Sequence, residues 1–198
     1  MAFVPTLTLN NGVEIPQLGF GTYLIPPEDA AAATRTALEV GYRHIDTAQM
    51  YGNEKGVGKA IREFGLARDD VFVTSKLSNQ QHGRDDILRS FDASMEALGF
   101  DQLDLFLIHW PLPASGDHVE RWRVMEEILA GGRVRAIGVS NFGVHHLRDL
   151  FEATETRPAV NQIEVQPFLV QEELRAFHSS HGIVTEAWSP IARVRPAA

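Results

Sequence analysis

The chain of 198 residues contains no cysteine. That excludes a disulfide, a thiolate nucleophile and any Cys-ligated metal, and it suits a reducing compartment. Runs of Lys or Arg are missing too. With a formal net charge of −8 and a pI near 5.4, the chain lacks the basic patch that phosphate-backbone binding needs, so no nucleic-acid partner is expected. The opening MAFVPTLTLNNGVEIP has neither a basic start nor a long apolar stretch, so neither a signal peptide nor a membrane span is expected and the location is read as cytoplasmic. Low-complexity segments and linkers are also lacking, and residues 1–198 read as a single domain. What remains is a globular composition, 44% hydrophobic and 22% charged, large enough for one big core or two small ones.

Residues 6–15, TLTLNNGVEI, alternate polar and apolar around Asn11-Gly12, the pattern of a β-hairpin. After it, seven short β-rich runs alternate with six amphipathic helical stretches. The runs are QLGFGT, YRHIDTA, VFVTSK, LDLFLIH, VRAIGVS, AVNQI and IVTEAW. Strict βα alternation predicts a parallel sheet, either doubly wound or a barrel. A dinucleotide-binding open sheet would carry G-x-G-x-x-G after its first strand, but GFGTYL has Leu24 at the third glycine. GNEKGVGKA has the wrong spacing for a phosphate loop and Ala60 where the hydroxyl belongs. The reading is therefore an α/β fold, a (βα)8 TIM barrel with an N-terminal hairpin. Since such barrels take ~250 residues and eight strands, it reads as truncated after strand seven, with two open edges through which self-association is possible.

Active sites of barrels lie at the C-terminal strand ends, here Thr22, Asp46, Lys76, His109, Ser140, Gln162 and Trp188. Three are ionisable, and Tyr51 follows Asp46 by one short turn. If these groups converge, Asp46 anchors the Lys76 ammonium and the ammonium favours the phenolate of Tyr51. At ~4 Å and an effective dielectric near 20 the attraction is roughly 4 kcal/mol, which would draw the phenol from about 10 toward about 7. Tyr51 would then be a general acid and neutral His109 a carbonyl-orienting group. The chain offers no nucleophile to match, so hydride from a nicotinamide is expected, with Trp188 stacking on it and Ser140, Asn141 and Gln162 holding its carboxamide.

The same residues have plainer roles. An Asp–Lys pair is often merely structural; Trp188 alone would read as a core aromatic, and Ser140-Asn141 as a turn or cap. His145 and His146 read as solvated helix residues. His44 and Asp46 share a strand face, yet with only His109 to join them and Lys76 opposing a cation, no metal is expected. Two competing functions stand: a Schiff-base aldolase using Lys76, and a non-turnover dinucleotide-binding or remnant protein.

GYRHIDTAQMYGNE, TSKL, LDLFLIHWP, IGVSNF, NQIEVQPF and AWSP, in that order, resemble the successive signatures of the aldo-keto reductase family, especially bacterial 2,5-diketo-D-gluconate reductase-like enzymes. The resemblance implies a catalytic tetrad of Asp46, Tyr51, Lys76 and His109 with Tyr51 as proton donor, and NADPH as cofactor. It implies nicotinamide contacts from Ser140, Asn141, Gln162 and Trp188, and a cofactor channel lined by Gly21, Thr22 and Ser189 and touching Asp46. The substrates it implies are small aldehydes and ketones, reduced by a monomer. Tyr23 and Trp110 are candidate walls of the carbonyl pocket. Ser78 stands where many relatives carry a tryptophan, which implies a wider, more polar wall there. The contacts to an adenosine 2′-phosphate that the family places beyond SPIA find only RVRPAA here.

Overall fold

A computed structural model describes residues 4–112 and 114–192. Residues 193–198, the RVRPAA stretch, lie outside the described residues. Strands β1 (Thr6–Thr8) and β2 (Glu14–Pro16) form the expected antiparallel hairpin, Leu7 opposite Ile15. Seven further strands follow: β3 (Phe20–Gly21), β4 (His44–Asp46), β5 (Phe72–Leu77), β6 (Leu103–Ile108), β7 (Val134–Ser140), β8 (Val160–Glu164) and β9 (Val184–Trp188). They pair in chain order, every neighbour parallel. A doubly wound sheet reverses its order at a switch point. Sequential order has no reversal and curls the sheet toward closure, so the architecture is that of the TIM barrel, with β3 and β9 at its two ends.

Six helices provide the crossovers: α1 (Ala30–Glu39), α2 (Glu54–Phe64), α3 (Arg84–Leu98), α4 (His118–Ala130), α5 (Val144–Ala153) and α6 (Glu172–Ser180). In α3 the buried positions Ile87, Phe91, Met95 and Leu98 recur at three- and four-residue spacing, so one face meets the sheet. Full burial of Phe91 or Leu98 stabilises by roughly 2 kcal/mol. Gly99 ends the helix at φ 70°, a conformation cheap only without a Cβ. Two short 3-10 turns, Gln49–Tyr51 and Arg68–Asp70, were not legible in the apolar periodicity. Among the described residues no helix is long and apolar enough to cross a membrane.

Strand alternation divides the apolar residues into two cores. Val73, Leu77, Phe106, Ile108, Ile137 and Val139 face the helices. Phe72, Leu105, Leu107, Ala136 and Val160 pack inside the barrel, where Leu9 and Ile15 close its floor. Above that apolar floor the inward positions turn polar: His44, Asp46, Thr74, Lys76, Ser140 and Gln162 are all buried. The hydrophobic plug thus leaves the upper barrel to groups that must find partners among themselves.

One polar knot outside the barrel fixes the rim. Asn161 of β8 donates to Phe142 O (2.9 Å) and to His178 Nε2 (2.8 Å), and His178 Nδ1 meets Thr185 Oγ1 at 2.8 Å. The knot holds the β7–α5 turn, β8, β9 and α6 in one geometry. It requires a neutral imidazole, because Nε2 must accept. His178 is fully buried, and burial lowers its pKa from 6.5 to about 4. The unfolded chain therefore binds more protons between these values, so stability is complete above pH 6.5 and is lost as pH falls toward 4. Between pH 7 and pH 5 the loss from His178 is expected to be roughly 2 kcal/mol, read as a fall in the unfolding free energy from urea titration that is smaller by that amount in His178→Gln. An equal fall in both proteins would refute the assignment.

Candidate active site

The residues expected at the strand ends do come together, over a cavity of about 900 Å³ whose lining includes Tyr51, His109, Asn141, Gln162 and Trp188. Lys76 lies behind the cavity lining, fully buried on β5 next to Tyr51. Its ammonium donates to Asp46 Oδ1 at 2.5 Å and to Thr47 O at 2.9 Å. Burial alone would discharge it, but Asp46, Tyr51 and Glu186 outweigh that cost, and its pKa is raised above the ordinary lysine value. A raised pKa and an ion pair make Lys76 a poor amine nucleophile, which counts against Schiff-base chemistry.

Tyr51 ends the 3-10 turn Gln49–Tyr51, and Gly52 follows at φ 69°, so the chain turns sharply behind the phenol. Gln49 ties this turn to α3 through Ser90. The Tyr51 ring packs against Tyr23 (5.1 Å between centroids) and edge-on to His109 (5.7 Å), with Lys76 Nζ 5.2 Å from its centre. The expected depression of its pKa is not found. Burial raises it, and the Lys76 charge only partly offsets that rise. Desolvation of the phenol, which attraction to the ammonium alone leaves out, is the larger effect. Tyr51 is accordingly a protonated phenol at neutral pH.

His109, just past β6, has its pKa lowered to about 4 by burial and by the Lys76 charge, so it is neutral at pH 7, as expected. Its Nδ1 is buried without a partner among the described residues.

Asn141 links the far side of the mouth. It adopts φ 63°, a costly conformation for a residue with a Cβ. It donates to His109 O (3.1 Å) and Ser140 Oγ (3.0 Å) and accepts from the Trp188 indole at 2.9 Å. Trp188 is thereby held as a fixed flat wall. Ser140 Oγ donates to Gln162 O at 2.8 Å, and the Gln162 amide donates to Asp46 Oδ2 at 2.8 Å and Glu186 Oε1 at 2.9 Å.

Gly21, Tyr23, Trp110 and Ser189 line the cavity as expected. Thr22 and Ser78 do not. Thr22 is fully buried, and its hydroxyl donates to Asp46 O at 3.1 Å, with Asn53 Oδ1 as an alternative acceptor at 3.3 Å, which steadies the β4 end from behind. Ser78 is buried under the loop after β5, where its carbonyl accepts from Arg121 Nη2 at 3.4 Å. His146 is also displaced from expectation. It is buried, beside Leu147 and Leu150 on the inner face of α5, and its Nδ1 accepts from Gly143 N at 3.2 Å; only His145 is exposed. Among the described residues no group of three or more His, Asp or Glu side chains is arranged to hold a metal.

Two site residues escaped sequence reasoning. Glu186 lies two residues before Trp188, so strand alternation alone places it on the same inner face. Arg121 is buried on α4 and donates to Trp110 O (3.1 Å) and Ser78 O, tying together two loops of the mouth; nothing in its local helical pattern marks it.

Residues 17–194 match the model of the aldo/keto reductase family. An aldo-keto reductase of Mycobacterium sp. (strain JLS) is 49% identical over 189 residues, 96% of this chain and 68% of that protein. 2,5-Diketo-D-gluconic acid reductase B of Corynebacterium sp. (strain SHS752001) is 45% identical over 193 residues, 98% of this chain and 70% of that protein. The crystal structure of a Bombyx mori aldo-keto reductase in complex with NADP superimposes with a TM-score of 0.92 at 36% identity, covering all of this chain and 71% of the other. The chain belongs to the aldo/keto reductase family.

Proposed function

We propose that this protein reduces small aldehydes and ketones, keto-sugars among them, to alcohols with NADPH, the proton coming from Tyr51. The observation that carries the reading is the clustering of one protonated phenol and one neutral imidazole on the cavity lining, with one ion-paired ammonium buried 5.2 Å from the phenol ring. The residues present fit the cofactor. The cavity of about 900 Å³ is lined by an indole whose N–H is already bound to Asn141, and by an amide and a hydroxyl able to meet a carboxamide.

When bound, NADPH supplies a hydride to the carbonyl carbon. Everything else falls to the chain. The neutral imidazole of His109 donates a hydrogen bond to the substrate oxygen and orients it. The phenol of Tyr51 holds a proton at Oη for the same oxygen as charge develops there. Lys76 stabilises the phenolate left behind, and Asp46 keeps Lys76 charged and aimed. Tyr23 and Trp110 enclose the substrate and exclude water, and Arg121 steadies the Trp110 loop. We further propose a cytoplasmic monomer. A chain without cysteine suits a reducing compartment, while the β3 and β9 edges are where self-association would begin.

The test is NADPH oxidation with a panel of small aldehydes and keto-sugars, with Tyr51→Phe alongside. Carbonyl-dependent oxidation is expected, reduced by roughly 10²- to 10⁴-fold in kcat by the substitution, with NADP+ affinity kept. Equal rates in both proteins would remove Tyr51 from the mechanism. NADP+ binding with no turnover by the parent would favour a binding protein instead.

A further inference from the structure

Gln162 sits in register with Ser140 on one side and Glu186 on the other. Both hydrogens of its amide are committed, one to Asp46 Oδ2 at 2.8 Å and one to Glu186 Oε1 at 2.9 Å. A primary amide has two donors and one acceptor oxygen, so Oε1 is the end left for a ligand. Turning the amide over would bring that oxygen against Asp46, already ion-paired with Lys76, acceptor against acceptor. Asp46 therefore decides which end faces it. One hydrogen bond still lets the amide swing about its broad terminal torsion. The second, from Glu186, fixes its plane.

We propose that Glu186 is a positioning residue: by accepting the second amide hydrogen of Gln162, it presents Gln162 Oε1 to the cavity as the acceptor for the carboxamide N–H of a nicotinamide. The proposal rests on the NADPH reading above. Glu186 lines the same cavity as Gln162 and Trp188, directly opposite Gln162 in the β8–β9 register and two residues before Trp188. Its second oxygen, Oε2, is buried without a partner among the described residues. A carboxyl in that position is costly, and packing alone would be met more cheaply by an aliphatic side chain. Burial and the neighbouring Asp46 raise its pKa, against the pull of His44, Lys76 and Gln162.

Glu186→Gln keeps an oxygen that can accept from Gln162; Glu186→Leu does not. With the full chain, quenching of tryptophan fluorescence by NADP+ is expected to show roughly five- to tenfold weaker binding in Glu186→Leu, with the loss falling on KM for NADPH more than on kcat. Glu186→Gln should restore affinity to within about twofold of the parent. In a Gln162→Ala background, Glu186→Leu should cost no further affinity, since its partner is gone. Parental affinity in Glu186→Leu, or an additive loss in the double variant, would overturn the role. So would equal losses in both Glu186 variants accompanied by a drop in melting temperature, the mark of a packing residue. If Glu186→Leu fails to fold, Glu186→Ala takes its place in the same cycle. A parent that binds no NADP+ at all would overturn the NADPH reading itself, an outcome distinct from these.

Discussion

A single ammonium buried inside the barrel dictates the arrangement of its surroundings. Lys76 is fully enclosed, and an unpaired charge there would cost several kcal/mol. Asp46 at 2.5 Å and the carbonyl of Thr47 remove that cost, so β4 and β5 must stay in their register, Asp46 opposite Thr74. Asp46 then needs a donor for its other oxygen and takes it from Gln162, which brings β8 across the barrel to the same point. Thr22 accommodates the Asp46 backbone from the opposite side. The polar layer is one connected structure in which each partner is explained by the group before it.

The division of labour inside the barrel follows. Below the layer, Leu9 and Ile15 of the hairpin meet Phe72, Leu105 and Leu107 and supply stability without polar obligations. Above it, the far side of the mouth is held by one residue in a costly conformation. Asn141 at positive φ and the Trp188 indole bonded to it give a rigid wall where an ordinary loop would fluctuate. Rigidity there matters because orientation contributes to catalysis only when the groups are already in place.

Much of this was legible in the sequence, for identifiable reasons. Alternation of period two and period 3.6 marked the strands and helices, and the residues ending each apolar run, Asp46, His109, Ser140 and Trp188 among them, sit at the barrel mouth because parallel strands all point one way. What failed depends on neighbours distant in sequence. The rise in the Tyr51 pKa comes from burial, with the Asp46 charge and Tyr23 adding to it. Ser78 is buried outside the cavity lining, with its carbonyl accepting from Arg121, 43 residues on. His146 is buried and His145 exposed by the rotation of α5 against the sheet, which pattern alone did not fix. Glu186 shares an inner face with Trp188, but its partner lies on β8 and is not visible in the β9 sequence.

The central claim is that Asp46 keeps Lys76 charged in an interior that would otherwise neutralise it. The chain has only three lysines, Lys55, Lys59 and Lys76, so a sample labelled with 13C and 15N in lysine gives three resolvable side-chain signals. Titration of the Lys76 Cε and Nζ shifts reads its charge directly. The predicted result is an ammonium that persists above pH 10.5, the ordinary lysine midpoint. A midpoint below that value would mean that burial outweighs Asp46, and the account of the site built on that ion pair would be wrong.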